Sequence, residues 1–250
     1  MPRCARIACS LLVLLCVSFT VPPKNITVYL IGDSTMSVKQ VKAYPETGWG
    51  MPFASFFDQS VNIDNRAQNG RSTKSFLAEG RWAPVVNSLK RGDYVLIQFG
   101  HNDEVKTKAS STTVAEFKSN LVRYVNDSRS RKAFPVLITP VARRSFDASG
   151  SLLPSHEIYS DIVRTVAQEN KVALVDLDKL SQRLLQNWGV EKSKLLYNHL
   201  APGEHPNYPA GKEDNTHFNE LGARVMAQLV LSDIQKLKLD LACRIVKPKP

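Results

Sequence analysis

The chain is poor in cysteine. It has four in 250 residues, and three of them, Cys4, Cys9 and Cys16, fall within the first 16 positions. If those positions are removed as an export signal, Cys243 is left alone and no internal disulfide can form, so stability has to come from a buried core. A chain of 250 residues that is 43% hydrophobic can build one such core and is not a disordered chain. Apolar runs long enough to span a bilayer are also missing. Leu11-Leu12-Val13-Leu14-Leu15-Cys16-Val17 is too short for a span, but with Arg3 and Arg6 before it, it has the make-up of a secretory signal over residues 1–20. That implies a secreted or extracytoplasmic protein with no stable membrane insertion after cleavage. There is no internal repeat, zinc-finger spacing, RNP-type aromatic motif or H-E-x-x-H pair. Acidic residues are in deficit, 23 against 33 basic ones, for a formal charge of +10, of which the signal carries only two. A basic protein favours anionic partners. With no nucleic-acid motif present, an acidic polymer outside the cell fits better than nucleic acid.

What is present is a series of apolar runs that end at polar residues. Val28-Tyr29-Leu30-Ile31 stops at Gly32-Asp33-Ser34-Thr35, and Tyr94-Val95-Leu96-Ile97-Gln98-Phe99 stops at Gly100-His101-Asn102-Asp103. Further strands are predicted over residues 61–63, 135–139 and 172–176. Helical spacing marks Phe117, Leu121 and Val125, then Ile158, Ile162 and Val166. Pro52 is expected to open a short helix, beside a packed Trp49. A last helix, capped by Asn219, should bury Leu221, Val225 and Leu229 with Met226 and Val230. Strands alternating with helices imply α/β architecture, with a mainly parallel five-stranded sheet and helices on both faces. Residues 1–20 read as signal, 21–236 as one catalytic domain and 237–250 as a loose basic tail; residues 189–217 read as a long functional loop.

In open parallel sheets the ligand crevice lies beyond the carboxyl ends of the strands, which places Ser34 in it as candidate nucleophile. A serine needs a base, and a base works best when a carboxylate fixes its tautomer; Asp214 and His217 offer such a pair. Developing negative charge needs donors, which the Ser34 N–H, the Gly70 N–H and the Asn102 amide could supply. His101 is the alternative base, or else a histidine steadying its turn. His199, His205 and His217 with Glu204 or Asp214 would be a metal cluster, but lack a ligand pattern, so no metal and no cofactor is expected. His156 reads as a polar residue at a helix start.

The set Gly32-Asp33-Ser34, Gly70, Gly100-His101-Asn102-Asp103 and Asp214-x-x-His217 resembles the ordered blocks of the SGNH, or GDSL-type, hydrolases. The resemblance implies a flavodoxin-like three-layer α/β/α serine esterase that uses no metal. Thr35, Asn65-Arg66-Ala67-x-x-Gly70-Arg71-Ser72, Thr139-Pro140-Val141-x-Arg143-Arg144 and Asp214-x-Thr216-His217-Phe218 are similar to the rhamnogalacturonan acetylesterase branch, over residues 26–235. It implies Ser34 as nucleophile, His217 as base, Asp214 as its orienter, and Ser34, Gly70 and Asn102 as the oxyanion hole. The expected partner is then an acetylated acidic polysaccharide, met by a monomer, with His101, Arg71, Arg143 and Arg144 touching substrate and Lys74 nearby. Other readings are a related esterase acting on acetylated xylan, a lipid or a thioester, or a non-catalytic polysaccharide-binding protein. No apolar lid supports the lipid, and a binder has no use for the Asp214 and His217 pair.

Overall fold

The computed structural model describes residues 25–246. The signal assigned to residues 1–20 lies outside the described residues, as do the last four. Five strands form one sheet: β1 (Ile26–Gly32), β2 (Val61–Asn65), β3 (Tyr94–Gln98), β4 (Phe134–Ile138) and β5 (Ala173–Val175), in the order β2-β1-β3-β4-β5 with every pairing parallel. Side chains alternate across a strand. Along β1, Ile26, Val28 and Leu30 therefore enter one core layer while Tyr29 and Ile31 enter the other; β3 divides in the same way. Both faces are covered, which is why these strands are apolar throughout rather than alternating.

One layer packs α1 (Gly50–Phe53), α6 (Leu177–Lys192) and α7 (Glu220–Lys236), and the other packs α2 (Thr73–Ala78), α3 (Trp82–Ser88), α4 (Val114–Ser130) and α5 (Glu157–Glu169). Phe117, Leu121 and Val125 are buried as their spacing predicts. Two helical phases differ from the expectation. Ile158 is 64% exposed, because α5 buries the face of Ile162, Val163 and Val166, and Leu221 is 48% exposed, because α7 turns Gly222, Ala223 and Met226 inward. The short helix begins at Gly50, two residues before Pro52.

Residues 189–217 are not the open loop their composition suggests. They contain the kinked end of α6 and most of an antiparallel hairpin of β6 (Tyr197–Leu200) and β7 (Lys212–Phe218). Nor is the tail loose as far as residue 246. Leu241 is buried, Ile245 bridges to Phe57, and the Val246 N–H donates to the Phe56 carbonyl.

Three helices end in the same turn. After α4, α5 and α7, Lys132, Lys171 and Lys238 adopt φ of 59°, 50° and 52°, and the next residue donates its N–H back to the Ser128, Ala167 or Ile234 carbonyl. Glycine is the usual residue in this left-handed position. A lysine there costs about 1–2 kcal/mol, of which a cation at a helix C-terminus regains about 0.3–1 kcal/mol.

Gly222 sits where α7 crosses the turn before β6, and a Cβ there would lie 1.8 Å from the Leu196 carbonyl oxygen. Neither backbone can yield cheaply in a close-packed core. Gly222→Ala should lower unfolding free energy by about 3 kcal/mol, read from the denaturant midpoint, and a change within 0.5 kcal/mol or so would contradict this packing.

Candidate active site

Ser34 follows the end of β1, and Asn102 follows the end of β3; the two strands pair directly, with Gly32 opposite Gln98. A buried polar line holds these ends together. Trp49 Nε1 donates to Gln98 Oε1 at 2.6 Å, Gln98 Nε2 donates to Thr35 Oγ1 at 3.2 Å, and Thr35 Oγ1 donates to Asp33 Oδ1 at 2.9 Å. Trp49 is therefore packed, and is not a ligand contact. The loop after β2 docks on the same end through the Gln68 N–H and the Gly32 carbonyl, which brings Gly70, at φ 75°, to the rim.

The hairpin supplies the rest. His217 Nε2 lies 3.0 Å from Ser34 Oγ, and His217 Nδ1 lies 2.9 Å from Asp214 Oδ2. Residues three apart on a strand would point to opposite faces. Here Asp214 Oδ1 accepts the Thr216 and His217 N–H groups at 2.8 Å each, curling the backbone so that both side chains converge. Burial raises the Asp214 carboxyl, but the His217 ring and these N–H groups more than offset it and hold the group well below the usual carboxylate range. An anion fixed in that position can orient the imidazole and stabilise its protonated form while Nε2 takes a proton from Ser34.

These groups open on a cleft of about 560 Å³, also lined by Glu46, Asn69, Gly70, His101, Asn102, Val105, Lys108, Arg143 and Thr216. Lys108 Nζ donates to Asn102 Oδ1 at 2.7 Å, which fixes the amide so that Nδ2 donates one hydrogen to the Arg71 carbonyl at 3.1 Å. An amide nitrogen carries two, and the second remains for a developing oxyanion.

A family model described as GDSL-like lipase/acylhydrolase matches residues 30–225. The chain belongs to this family. It is 41% identical over 225 residues to the rhamnogalacturonan acetylesterase RhgT of Bacillus subtilis, covering 89% of this chain and 95% of that one. A rhamnogalacturonan acetylesterase of Emericella nidulans is 47% identical over 77 residues, 31% of this chain and 28% of that one. The crystal structure of YxiM from Bacillus subtilis superposes with a TM-score of 0.75 at 26% identity, over 88% of this chain and 58% of that one. The three-layer fold is thus shared with a solved structure, and the protein is a carboxylic ester hydrolase.

Of the residues expected to touch substrate, His101 and Arg143 line the cleft. Arg143 is held by Thr216 Oγ1 and Glu104. Arg71 and Arg144 must be corrected. The Arg71 guanidinium is bound by Glu79 and the Asn69 carbonyl and does not line the cleft, whereas its own carbonyl accepts from the Asn102 amide there. Arg144 is 7% exposed and braces the hairpin, donating to Ser193 Oγ, Asn215 Oδ1 and the Val190 carbonyl. Lys74 is exposed on α2 and does not line the cleft. The histidine metal cluster does not assemble, since His199 bonds Asn215 and His205 accepts from the Asn207 N–H. Among the described residues, ligand atoms of Glu46, Asp214 and His217 do approach within 4.8 Å, but the Lys212 ammonium already lies 3.3 Å and 3.4 Å from the two carboxylates.

Four supporting side chains carry no sequence signal: Lys39, Glu46, Lys108 and Lys212. Lys39 is buried beneath the site, paired with Glu46 at 2.8 Å, and donates to the Ser34 carbonyl and to Asn69 Oδ1, next to Gly70. Burial pulls its pKa down and Glu46 holds it up. Lys39→Met should cost about 1–3 kcal/mol of stability, because Glu46 loses its nearer, buried partner and keeps only Lys212, 3.3 Å away. Adding Glu46→Gln should recover part of that loss while kcat stays reduced; full recovery of kcat in the double variant would show that Lys39 does not position the site.

His101 is not the base, because its ring lies against His156, with centroids 4.2 Å apart, and His217 holds the serine. Burial, with His156 and Arg143 nearby, pushes its pKa well below the ordinary value. An unfolded histidine takes up its proton near pH 6.5, so this residue's contribution to stability is intact above that pH and is lost as pH falls towards the folded value. The His101 ring signals in NMR should stay those of neutral imidazole from pH 8 to about 6, and a midpoint near 6.5 would contradict its burial as a neutral group.

Proposed function

We propose that this protein is a secreted acetylesterase that removes acetyl groups from rhamnogalacturonan. The observation that carries the chemistry is the continuous line Asp214–His217–Ser34, at 2.9 and 3.0 Å, beside the Gly70 backbone and the Asn102 amide. In this reading Ser34 Oγ attacks the acetyl carbon while His217 Nε2 takes its proton, and the Ser34 N–H, the Gly70 N–H and the Asn102 amide hold the oxyanion. As the intermediate collapses, the bond from the acetyl carbon to the sugar oxygen breaks and His217 gives its proton to that oxygen, so the sugar leaves as a hydroxyl and acetyl-Ser34 remains. Water, deprotonated by the same nitrogen, releases acetate and restores the serine. Asp214 keeps the imidazole oriented throughout. Nothing in these steps requires a metal.

Two features support the pectic substrate. Relatives named as rhamnogalacturonan acetylesterases match the chain, one over nearly its whole length. Arg143 and Lys108 also stand at the cleft, where they would meet galacturonate carboxylates near the acetylated sugar. Export rests on the basic and apolar start of the chain, and a monomer acting outside the cytoplasm completes the reading.

Ser34→Ala should reduce kcat on the order of 10⁴- to 10⁶-fold with folding intact. On the wild type, kcat/KM for acetate release from acetylated rhamnogalacturonan should exceed that from neutral acetylated xylan. That preference should shrink as salt screens charges beyond about 8 Å. Equal rates on both polymers, or faster release from xylan, would remove the pectic substrate and leave the serine chemistry standing.

A further inference from the structure

A cavity of about 860 Å³ lies at the opposite end of the sheet from the cleft, at the first residues of β3, β4 and β5. Arg91, Arg129, Lys132, Lys171 and Lys238 line it, against a single carboxylate, Asp240. Lys132, Lys171 and Lys238 are the three lysines in the left-handed turns after α4, α5 and α7, so three separate helices each deliver a cation to this one groove, at positions where glycine would be less strained. Arg129 is fixed by the Asn170 and Lys171 carbonyls at 2.8 and 3.0 Å. None of the other four has a carboxylate within ion-pair distance among the described residues. Phe134 also lines the groove and is 50% exposed, its ring 5.1 Å from that of Tyr94.

We propose that this groove is a second binding site, separate from the cleft, for an acidic polysaccharide. Lysine ammonium groups meet carboxylates spaced along a polymer, and an exposed aromatic ring offers the flat apolar surface on which the C–H face of a pyranose packs. The identity of the polymer rests on the pectic reading of the cleft; the anionic character of the ligand rests on the groove alone. Held at this face, the enzyme stays on one stretch of the polymer while the cleft acts on another, raising the local concentration of ester.

The test uses unesterified oligogalacturonate, which offers no acetyl group to hydrolyse, titrated by calorimetry into the wild type and into a variant carrying Lys132→Gly, Lys171→Gly and Lys238→Gly. Glycine suits these backbone angles, so the variant loses charge without losing fold, and its hydrolysis of p-nitrophenyl acetate should match the wild type. Affinity should fall about tenfold, with the difference shrinking in salt. Acetate release from dilute acetylated polymer should fall with it. Unchanged oligogalacturonate affinity in the variant, or no binding by the wild type, overturns the second site. A single-stranded RNA of equal charge that binds as well as the oligogalacturonate, and weakens equally in the variant, also overturns it, by showing a surface that attracts any polyanion. If the groove binds oligogalacturonate but acetylated rhamnogalacturonan is not a substrate, the pectic reading of the cleft fails and the second site stands.

Discussion

The parallel pairing of β1 with β3 is the constraint on which the site depends. Both strands are buried on both faces, and their register sets Gly32 beside Gln98, so the segments that follow them emerge together at one end of the sheet. The chain of hydrogen bonds from Trp49 through Gln98 and Thr35 to Asp33 Oδ1 then gives these buried side chains their partners, where a buried polar group left without one costs about 1–3 kcal/mol. Once those strand ends are locked, the hairpin needs only to reach across them to bring His217 to Ser34.

Charge is arranged around this frame in two ways. Beneath and beside the cleft, Lys39, Glu46, Lys212 and Asp214 alternate in sign, each within 3.4 Å of the next, so that the carboxylate behind His217 is part of a compensated set rather than an isolated charge. Such partly buried pairs contribute little net stability, and removing one member is costly. Their value lies in fixing geometry: Lys39 reaches both the Ser34 carbonyl and the Asn69 side chain, and Lys108 fixes the Asn102 amide. At the far end of the sheet the cations face outward with a single carboxylate among them, which is the pattern of a surface meant for an external anion.

The sheet was legible in the sequence because strands covered on both faces are continuous apolar runs, and the places where they stop are where Ser34 and Asn102 stand. The grouping of Asp214 with His217 was legible from spacing, although the backbone turn that makes the spacing work is visible only in the hydrogen bonds of Asp214 Oδ1. The hairpin was not legible, since β7 is Lys-Glu-Asp-Asn-Thr-His-Phe, a polar strand whose residues serve the site rather than a core. Arg143 and Arg144 are neighbours in sequence with opposite fates, one at the cleft and one buried against Ser193 and Asn215, and no local pattern distinguishes them. Ile158 and Leu221 show a related limit: an apolar residue at the first turn of a helix fits the helical period without facing the core.

The serine chemistry can be tested most directly by covalent capture. A fluorophosphonate reacts with a hydroxyl activated by a neighbouring base, and peptide mapping of the treated protein locates the phosphonylated residue. A single adduct on Ser34 is expected, forming in step with the loss of esterase activity and absent from His217→Ala. An inactivated enzyme labelled on another residue, or one that keeps its activity with Ser34 fully modified, would contradict Ser34 as the nucleophile.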